Sequence, residues 1–300
     1  MTVASNNSSG RRVGIYIDLH DVRTDGSKSS WADVKKMAQE AERIGADSVA
    51  LPDRLQMGDI GLWESTTMLA AVAAVTTRVT IGTAVTRSIY RNPTLLAKIA
   101  DSIDEISGGR FILGLGMGSD EGDNVQFGYP EDYRYSRFEE ALMVTHTLLR
   151  TGKIDHSGRY FQAKNCVLKP RGPSARGAPI SIAATAPKMM RLAARYADYW
   201  TSLNLPTSPD GWQQQIHDIE SACEAEGRDP ATLKKVAGVL ITQSTDKHPY
   251  GESLSGEPGQ IAEAINRFFE SGFHEVAMYP APNSPGAISA LEPVVAALKA

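Results

Sequence analysis

The sequence lacks most of the features that mark metal, disulfide and membrane proteins. Its two cysteines, Cys166 and Cys223, are too far apart for a Cys-x-x-Cys motif. Its six histidines include no close pair of the kind that binds a metal ion. No apolar run approaches the roughly 20 residues that a membrane span needs. These absences argue against a disulfide framework, a structural metal site and a transmembrane helix.

An excess of positive charge is also missing. The 31 Lys and Arg residues stand against 35 Asp and Glu, which gives a formal net charge of −4. Nothing in this balance favours binding to nucleic acid or to a membrane surface. Residues 1–12 are polar, contain no apolar core of a signal peptide, and are predicted to form a disordered tail. We therefore expect a cytoplasmic protein that acts on a small molecule and has no nucleic-acid or membrane partner.

What the sequence does contain is a regular alternation of short β-branched runs and longer amphipathic runs. Eight such pairs follow one another after residue 12, and eight is the number that closes a parallel (β/α)8 barrel. Gly45 stands where a glycine commonly ends a helix, and Pro93 stands in a first helical turn. The sequence thus predicts one α/β domain over 13–300, a (β/α)8 TIM barrel. An open, doubly wound sheet is the alternative.

The predicted elements alternate along the whole domain. Strands are predicted at Val13–Asp18, Ser48–Leu51, Val79–Val85, Phe111–Gly116, Ile180–Ala183, Tyr199–Ser202, Lys235–Ile241 and Glu275–Tyr279. Helices are predicted at Trp31–Ile44, Trp63–Val75, Pro93–Ile106, Arg137–Leu149, Pro187–Tyr196, Pro209–Glu226, Gln260–Ser271 and Pro285–Leu298. An insertion at 151–178, between the fourth helix and the fifth strand, is predicted to contain a β-hairpin of Lys153–Asp155 and Arg159–Gln162.

The most distinctive stretch is the end of the fourth strand, where Gly114, Gly116 and Gly118 alternate with apolar residues. A dinucleotide-binding loop needs the spacing G-x-G-x-x-G and a helix that starts at the last glycine. Here the spacing is G-x-G-x-G, and the loop that follows is polar and contains Pro130. The pattern instead indicates bare backbone against which a flat ligand can lie. Tight packing of a strand end is the alternative.

Residues that follow the strands are the candidates for an active site, because barrel active sites lie at the carboxyl ends of the strands. These candidates are Asp18, His20, Asp53, Arg54, Thr83, Thr86, Arg87, Ser119, Asp120, Glu121, Thr185, Lys188 and Tyr279. They include no Ser-His-Asp or Cys-His arrangement, so a bound cofactor would carry the chemistry. Thr185 is a candidate N-cap of the fifth helix, whose free amides with Lys188 would bind a phosphate. An ordinary cap and a solvated lysine are the alternative.

Three groups of residues resemble the luciferase-like monooxygenase superfamily, whose barrels bind FMN or the deazaflavin coenzyme F420. The matching stretches are 108–116 with 127–130 and 137–142, 179–183 with 191–198, and 82–86 with 91–93. The resemblance covers nearly the whole chain from Val13 onward. It implies a cis peptide bond at Thr83–Ala84, which would shape the floor under the cofactor ring. It also implies cofactor contacts at Asp53, Thr83, Ala84, Gly116, Met117, Gly118, Ala183, Ala184, Thr185 and Lys188.

Departures from the family pattern favour one cofactor. Many relatives have histidine directly after the acid at position 53, where this chain has Arg54. Flavin-type relatives have Trp-His where this chain has Ser119 and Asp120, and the polar loop is closer to that of F420-using reductases. The resemblance therefore implies an F420-dependent oxidoreductase that moves a hydride to or from an imine, enone, ketone or alcohol.

In this interpretation Arg54 polarises the substrate, and Asp120 and Glu121 handle the proton. For these acids, ordinary solvated side chains are the alternative. Two other functions stay open: an FMN-dependent monooxygenase that is supplied by a separate flavin reductase, and a flavin-binding barrel without catalysis. Relatives are often dimers through exposed barrel helices, so the resemblance also implies a homodimer.

Overall fold

Eight parallel strands pair side by side around a closed ring in the computed structural model, which describes residues 10–23, 26–118, 123–203, 208–242 and 251–300. The barrel strands are β1 (Arg12–Tyr16), β2 (Ser48–Leu51), β3 (Thr80–Thr83), β4 (Phe111–Gly116), β5 (Ile180–Ala183), β6 (Tyr199–Ser202), β7 (Lys234–Thr242) and β8 (Glu275–Ala281). Each strand pairs with the next in the chain, and β8 pairs with β1. The predicted (β/α)8 barrel is confirmed, and the open sheet is excluded by this closure.

Helices follow the strands and surround the barrel. They are α1 (Trp31–Arg43), α2 (Ser65–Val75), α3 (Pro93–Ser107), α4 (Arg134–Thr151), α5 (Pro187–Tyr196), α6 (Pro209–Ala225), α7 (Pro258–Glu270), α8 (Pro285–Ser289) and α9 (Glu292–Lys299). The single helix predicted at Pro285–Leu298 is wrong, because the chain forms two helices there. Pro293 has no N–H, and its ring would clash with the carbonyl of Ser289 in a continuous helix.

Local sequence explains why α1 begins and ends where it does. Ser30 and Asp33 form a capping box at its start, and Gly45 adopts a φ of +92° just after its end. Its buried side chains, Val34, Met37, Ala38 and Ala41, recur at helical spacing. A short helix, Asp123–Gln126, lies in a loop for which the sequence predicted none.

A polar cluster lies at the amino-terminal end of the barrel. Nε of Arg12 lies 2.9 Å from Oε2 of Glu275, and the Ser48 hydroxyl donates to Oε1 of Glu275 at 2.5 Å. These are the first residues of β1, β8 and β2. Arg12, predicted as the end of a tail, therefore belongs to the barrel; residues 1–9 lie outside the described part of the chain. In barrels of this kind the ligand site lies at the opposite end, at the carboxyl ends of the strands.

The insertion contains a β-hairpin as predicted, but its strands are Lys153–Ser157 and Gln162–Val167, so the second strand predicted at Arg159–Gln162 is misplaced and shares one residue with the observed strand. Glu140 of α4 holds it in place: its Oε1 accepts the N–H of Phe161 at 2.9 Å and lies 3.0 Å from Nε2 of His156. Within the ranges that the structure describes, no helix has the length and apolar character needed to cross a bilayer.

Candidate active site

Two adjoining pockets open where the strands end. The first, here called the glycine pocket, encloses about 880 Å³ of space open to solvent over the ends of β4 and β5. The second, here called the apolar pocket, encloses about 720 Å³ and includes Met57, Leu62 and Val239 in its wall. The two pockets share Tyr16, Pro52, Arg54 and Leu203. The two pockets are therefore immediate neighbours.

The glycine pocket brings together most of the residues predicted to bind a cofactor. Its lining includes Asp53, Ala84, Gly116, Met117, Gly118, Ala183, Ala184 and Thr185. Thr83 and Lys188, predicted with them, are not part of that lining. Arg54 lines both pockets. The candidate proton handlers Asp120 and Glu121, and Ser119 before them, lie outside the described residues.

The alternate glycines of β4 make room for the segment that follows β3. A Cβ atom at Gly114 would overlap the carbonyl oxygen of Thr83, and one at Gly116 would overlap Cγ2 of Val85. The Thr83 hydroxyl lies 2.7 Å from the carbonyl oxygen of Gly114 and 2.9 Å from its nitrogen, which ties the two strands together. Tight packing therefore explains Gly114 and the absent side chain of Gly116, while the backbone of 116–118 lines the pocket.

The segment after β3 contains a cis peptide bond between Ala84 and Val85. A cis bond in this segment was expected, but its predicted position, Thr83–Ala84, is wrong by one residue. Thr83 still lies in regular register with Leu51 of β2, so the departure from strand geometry begins after it. The Tyr16 hydroxyl donates to the Ala84 carbonyl at 2.7 Å and holds this part of the pocket wall.

Asp53 faces a partner that the sequence did not reveal. Its buried carboxylate receives two hydrogen bonds from the guanidinium of Arg91, at 2.6 and 3.0 Å, and one from the N–H of Arg87 at 3.0 Å. Burial raises the pKa of Asp53, and the Arg91 guanidinium opposes that shift. Arg91 also bonds to Glu64. The carboxylate thus holds the loop after β3. The sequence contained one indication of this contact, because Arg91 lies in the stretch 91–93 that contributes to the family resemblance.

The polar end of the apolar pocket is built by Asp18, His20 and Tyr279. Oδ2 of Asp18 lies 2.7 Å from Nδ1 of His20 and accepts a hydrogen bond of 2.7 Å from the Tyr279 hydroxyl. Sequence reasoning marked all three as residues at strand ends but did not join them. Since β1 and β8 pair side by side, Asp18 and His20, which follow β1, lie beside Tyr279 near the end of β8.

The start of α5 differs from the prediction. The N-cap is Ala186, whose extended backbone precedes Pro187, so the assignment of Thr185 as N-cap is wrong. A residue before proline is kept out of helical conformation, which makes residue 186 the boundary. Thr185 is exposed at the pocket edge, and Nζ of Lys188 lies 5.6 Å from the centre of the Tyr135 ring. Across the described ranges, no three His, Cys, Asp or Glu side chains are grouped to hold a metal ion.

Comparison with known proteins gives a consistent result. A model of the luciferase-like monooxygenase family matches residues 12–248. The pyrimidine monooxygenase RutA of Bradyrhizobium sp. strain BTAi1 is 33% identical over 246 residues, which is 77% of this chain and 66% of that protein. A phthiodiolone/phenolphthiodiolone dimycocerosates ketoreductase of Mycobacterium sp. strain JLS is 32% identical over 200 residues, 65% of this chain and 52% of the relative.

Solved structures share the fold. An F420-dependent secondary alcohol dehydrogenase, in complex with an F420-acetone adduct, superposes with a TM-score of 0.82 at 18% identity, covering 97% of this chain and 99% of that one. A riboflavin lyase with modified FMN and riboflavin has a TM-score of 0.81 at 15% identity, covering 95% and 91%.

Proposed function

Because the chain belongs to the luciferase-like monooxygenase family and is therefore an oxidoreductase, we propose that it is a coenzyme F420-dependent reductase or dehydrogenase. The deazaflavin ring would lie in the glycine pocket and the substrate in the apolar pocket. When bound, this cofactor supplies or accepts a hydride. The protein supplies binding, orientation and a way to move the proton.

The lining of the glycine pocket fits a flat ring. Main chain and small side chains form much of it, from Gly116 to Gly118 and from Ala183 to Ala186, so a broad ligand can come close to the backbone. Arg54 and the buried Arg87 add positive charge beside it. We assign Thr185, Lys188 and the first amides of α5 to the phosphate of the cofactor. Asp53 and Thr83 support this pocket through their contacts with the loop after β3.

The observation that carries the proposal is that the two pockets lie side by side and share lining residues. Tyr16, Pro52, Arg54 and Leu203 line both. Hydride transfer needs direct contact between the reacting carbons of cofactor and substrate, and two adjoining pockets allow that contact. Arg54 stands at the boundary, where its guanidinium can polarise a carbonyl group without losing its proton.

A second candidate is an FMN-dependent monooxygenase that is supplied by a separate flavin reductase. The pyrimidine monooxygenases among the curated relatives favour it, with identities of 30–33% over 77–79% of the chain. The same two pockets would then hold FMN and its substrate. For either cofactor the protein is proposed to act as a homodimer, which sedimentation velocity measures directly.

Cofactor titration distinguishes the two candidates. The purified protein is titrated separately with F420 and FMN, and binding is followed by the fluorescence of each cofactor. We expect F420 to bind at least about tenfold more tightly than FMN, a difference of about 1.4 kcal/mol. Tighter binding of FMN would favour the monooxygenase, and no binding of either would refute both.

Two variants, each with tryptophan in place of an alanine, test whether the cofactor binds in the glycine pocket. Ala186→Trp places a large side chain on the exposed rim of the glycine pocket, whereas Ala175→Trp places one in the insertion, on an exposed residue that is not part of that lining. The first should weaken cofactor binding by about a hundredfold and the second by less than about twofold. Equal effects would contradict the assignment. Substitution of Gly116 is not informative, because its side chain would overlap Val85.

A further inference from the structure

We propose that His20 is the group that exchanges a proton with the substrate in the apolar pocket, and that the pocket takes a compact, mainly apolar carbonyl compound or the matching alcohol. Asp18 and Tyr279 act as positioning residues for His20. The inference rests on the hydride transfer proposed above. It replaces Asp120 and Glu121, the candidates from sequence, with a residue whose surroundings the structure describes.

Asp18 is held on both of its oxygens. Oδ1 accepts the N–H groups of Leu19 at 2.8 Å and His20 at 3.3 Å, while Oδ2 accepts the Tyr279 hydroxyl at 2.7 Å. Oδ2 also lies 2.7 Å from Nδ1 of His20. A carboxylate fixed in this way keeps the imidazole with Nδ1 towards it and stabilises the ring when it carries a second proton. Nε2 is then the nitrogen that exchanges a proton with a ligand.

The scaffold around Asp18 comes from the neighbouring strand. The side chain of Asn283, just beyond β8, accepts the N–H of Asp18 at 2.9 Å and donates to the carbonyl of Tyr16 at 2.8 Å. The rings of Tyr16 and Tyr279 meet edge to face with centroids 5.3 Å apart. The position of His20 is therefore fixed from both β1 and β8, as proton transfer in a defined geometry requires.

Comparison of the polar side chains that line the apolar pocket favours His20. Its ionisable members in the described part of the chain are Tyr16, Asp18, His20, Arg54 and Tyr279. The Tyr16 hydroxyl donates to the Ala84 carbonyl and the Tyr279 hydroxyl to Asp18. An arginine keeps its proton at any ordinary pH, and Asp18 is surrounded by donors. The imidazole of His20, by contrast, can both donate and accept a proton at its ring nitrogens.

The rest of the pocket defines the substrate class. Pro52, Met57, Leu62, Leu203, Val239 and Ala277 form an apolar wall, and His20 is 8% exposed at the polar end. A carbonyl group suits this arrangement because its carbon takes up a hydride and its oxygen takes up a proton. In the reducing direction, a bound reduced deazaflavin would supply a hydride with its two electrons to the carbonyl carbon, and the C=O π bond would break. The oxygen takes the proton from Nε2 of His20, which leaves an alcohol, the oxidised cofactor and a neutral imidazole; solvent then restores the proton.

The test compares His20→Gln with His217→Gln, which changes an exposed histidine on α6. With cyclohexanone as the probe, oxidation of reduced F420 should become at least about a hundredfold slower in His20→Gln, the usual contribution of a general acid. His217→Gln should behave as the unchanged protein, and F420 affinity should stay within about twofold in both. A rate within about threefold of the unchanged protein in His20→Gln, or loss of the rate in Asp120→Asn or Glu121→Gln instead, would overturn the proposal.

A second measurement needs no cofactor. In long-range ¹⁵N–¹H spectra of the cofactor-free protein, the signals of His20 are assigned by their loss in His20→Gln. They should show a protonated Nδ1, shift when cyclohexanone is added, and change tautomer balance in Asp18→Asn. If F420 fails to bind, the function proposed above is wrong, and these spectra still decide the role of His20. Signals that do not respond to the ketone would refute it.

Discussion

At the scale of single residues, β3 and β4 approach each other so closely at Gly114 that no side chain fits there. The Thr83 hydroxyl meets both the carbonyl oxygen and the nitrogen of Gly114, and the Thr86 hydroxyl lies 3.0 Å from it. The space for a side chain at residue 114 is occupied by the Thr83 carbonyl. Main-chain atoms in a paired strand cannot turn aside as a side chain can, so only glycine fits here.

Gly114→Ala should therefore destabilise the protein strongly. The added methyl group forces two strands apart, and overpacking of this kind costs about 3 kcal/mol of unfolding free energy. Gly259→Ala is the matched control, because a Cβ at that position in α7 has no atom within 4 Å. That change should raise the unfolding free energy by up to about 1 kcal/mol, as alanine favours a helix. Urea unfolding measures both, and a similar effect of the two changes would contradict this account.

The sequence identified residues of the site better than it identified their partners. Asp53, Gly116 and Thr185 could be assigned to the candidate site because each lies at or just after the end of a predicted strand, and strand ends can be predicted from local sequence. The contact of Asp53 with Arg91 spans 38 residues, and that of Asp18 with Tyr279 spans 261. Spacing along the chain carries no signal for such pairs, since the pairing of β2 with β3 creates the first and the closure of the barrel between β1 and β8 creates the second.

At the scale of elements, Arg110 joins the end of α2 to two strands. Its buried guanidinium donates to the carbonyls of Ala73 at 3.0 Å and Thr76 at 2.9 Å, which are left open at the helix end. It also donates to the carbonyl of Val79 at 2.7 Å and, through Nε, to that of Ser107 at 2.8 Å. Burial lowers the pKa of Arg110. One side chain thus completes the carboxyl end of a helix and fixes the entry to β3 and β4.

Arg110→Met should cost about 3 kcal/mol of unfolding free energy, because several buried carbonyls lose a charged donor at once. Arg110→Lys should recover only part of this loss, as an ammonium group cannot match the planar fork of five donors. Arg43→Met, at an exposed arginine, serves as the control and should change the unfolding free energy much less. Urea unfolding is the measurement, and full recovery by lysine would show that charge alone matters at position 110.

Several helices and strands were predicted with correct or nearly correct bounds. Helix α1 was predicted to end one residue later than it does, and β2, β4, β5 and β6 were predicted with the bounds that the structure has. Errors arose where a turn of the backbone depends on neighbours. Helix α4 starts at Arg134, three residues before the prediction, after Tyr133 adopts a φ of +52°. Tyrosine rarely adopts a positive φ, and no sequence rule would predict one at this position.

At the scale of the whole molecule, three glutamates tie elements to one another. Glu42 of α1 accepts the N–H groups of residues 77, 78 and 79 at the entry to β3. Glu64 accepts the N–H groups of Thr66 and Thr67 at the start of α2, and Glu140 holds the hairpin. Burial tends to raise the pKa of each carboxyl, but the hydrogen bonds outweigh it and lower all three, that of Glu64 to about 2. Each contact needs the ionised form.

Stability should consequently fall in acid. A carboxyl whose pKa is lower in the folded protein than its usual 4.5 contributes fully above that value, and its contribution is lost as the pH falls towards about 2. We expect the unfolding free energy in urea to be steady near neutrality and to decline below about pH 4.5. The triple variant Glu42→Gln, Glu64→Gln, Glu140→Gln should be less stable at neutral pH and show a shallower decline. An equally steep decline would assign the acid sensitivity to other groups.

The fold as a whole was the most predictable property. Eight strand–helix pairs could be counted without any distant contact, and only one closed arrangement of eight parallel strands is common. The prediction of the site depended on that count, because barrel active sites lie at the carboxyl ends of the strands. The polar cluster of Arg12, Ser48 and Glu275 at the amino-terminal end was not predicted, since its contacts join residues that are far apart in the sequence.

The pairing of β1 with β8 has a consequence for synthesis of the protein on the ribosome. Arg12 lies opposite Glu275, so the first strand of the barrel has no partner on this side until the eighth strand of the barrel has been translated. Until then the nascent sheet presents two unpaired edges, which invite association with other chains. We expect nascent chains that stop before residue 275 to be held by chaperones, and the barrel to close only after β8 has left the exit tunnel.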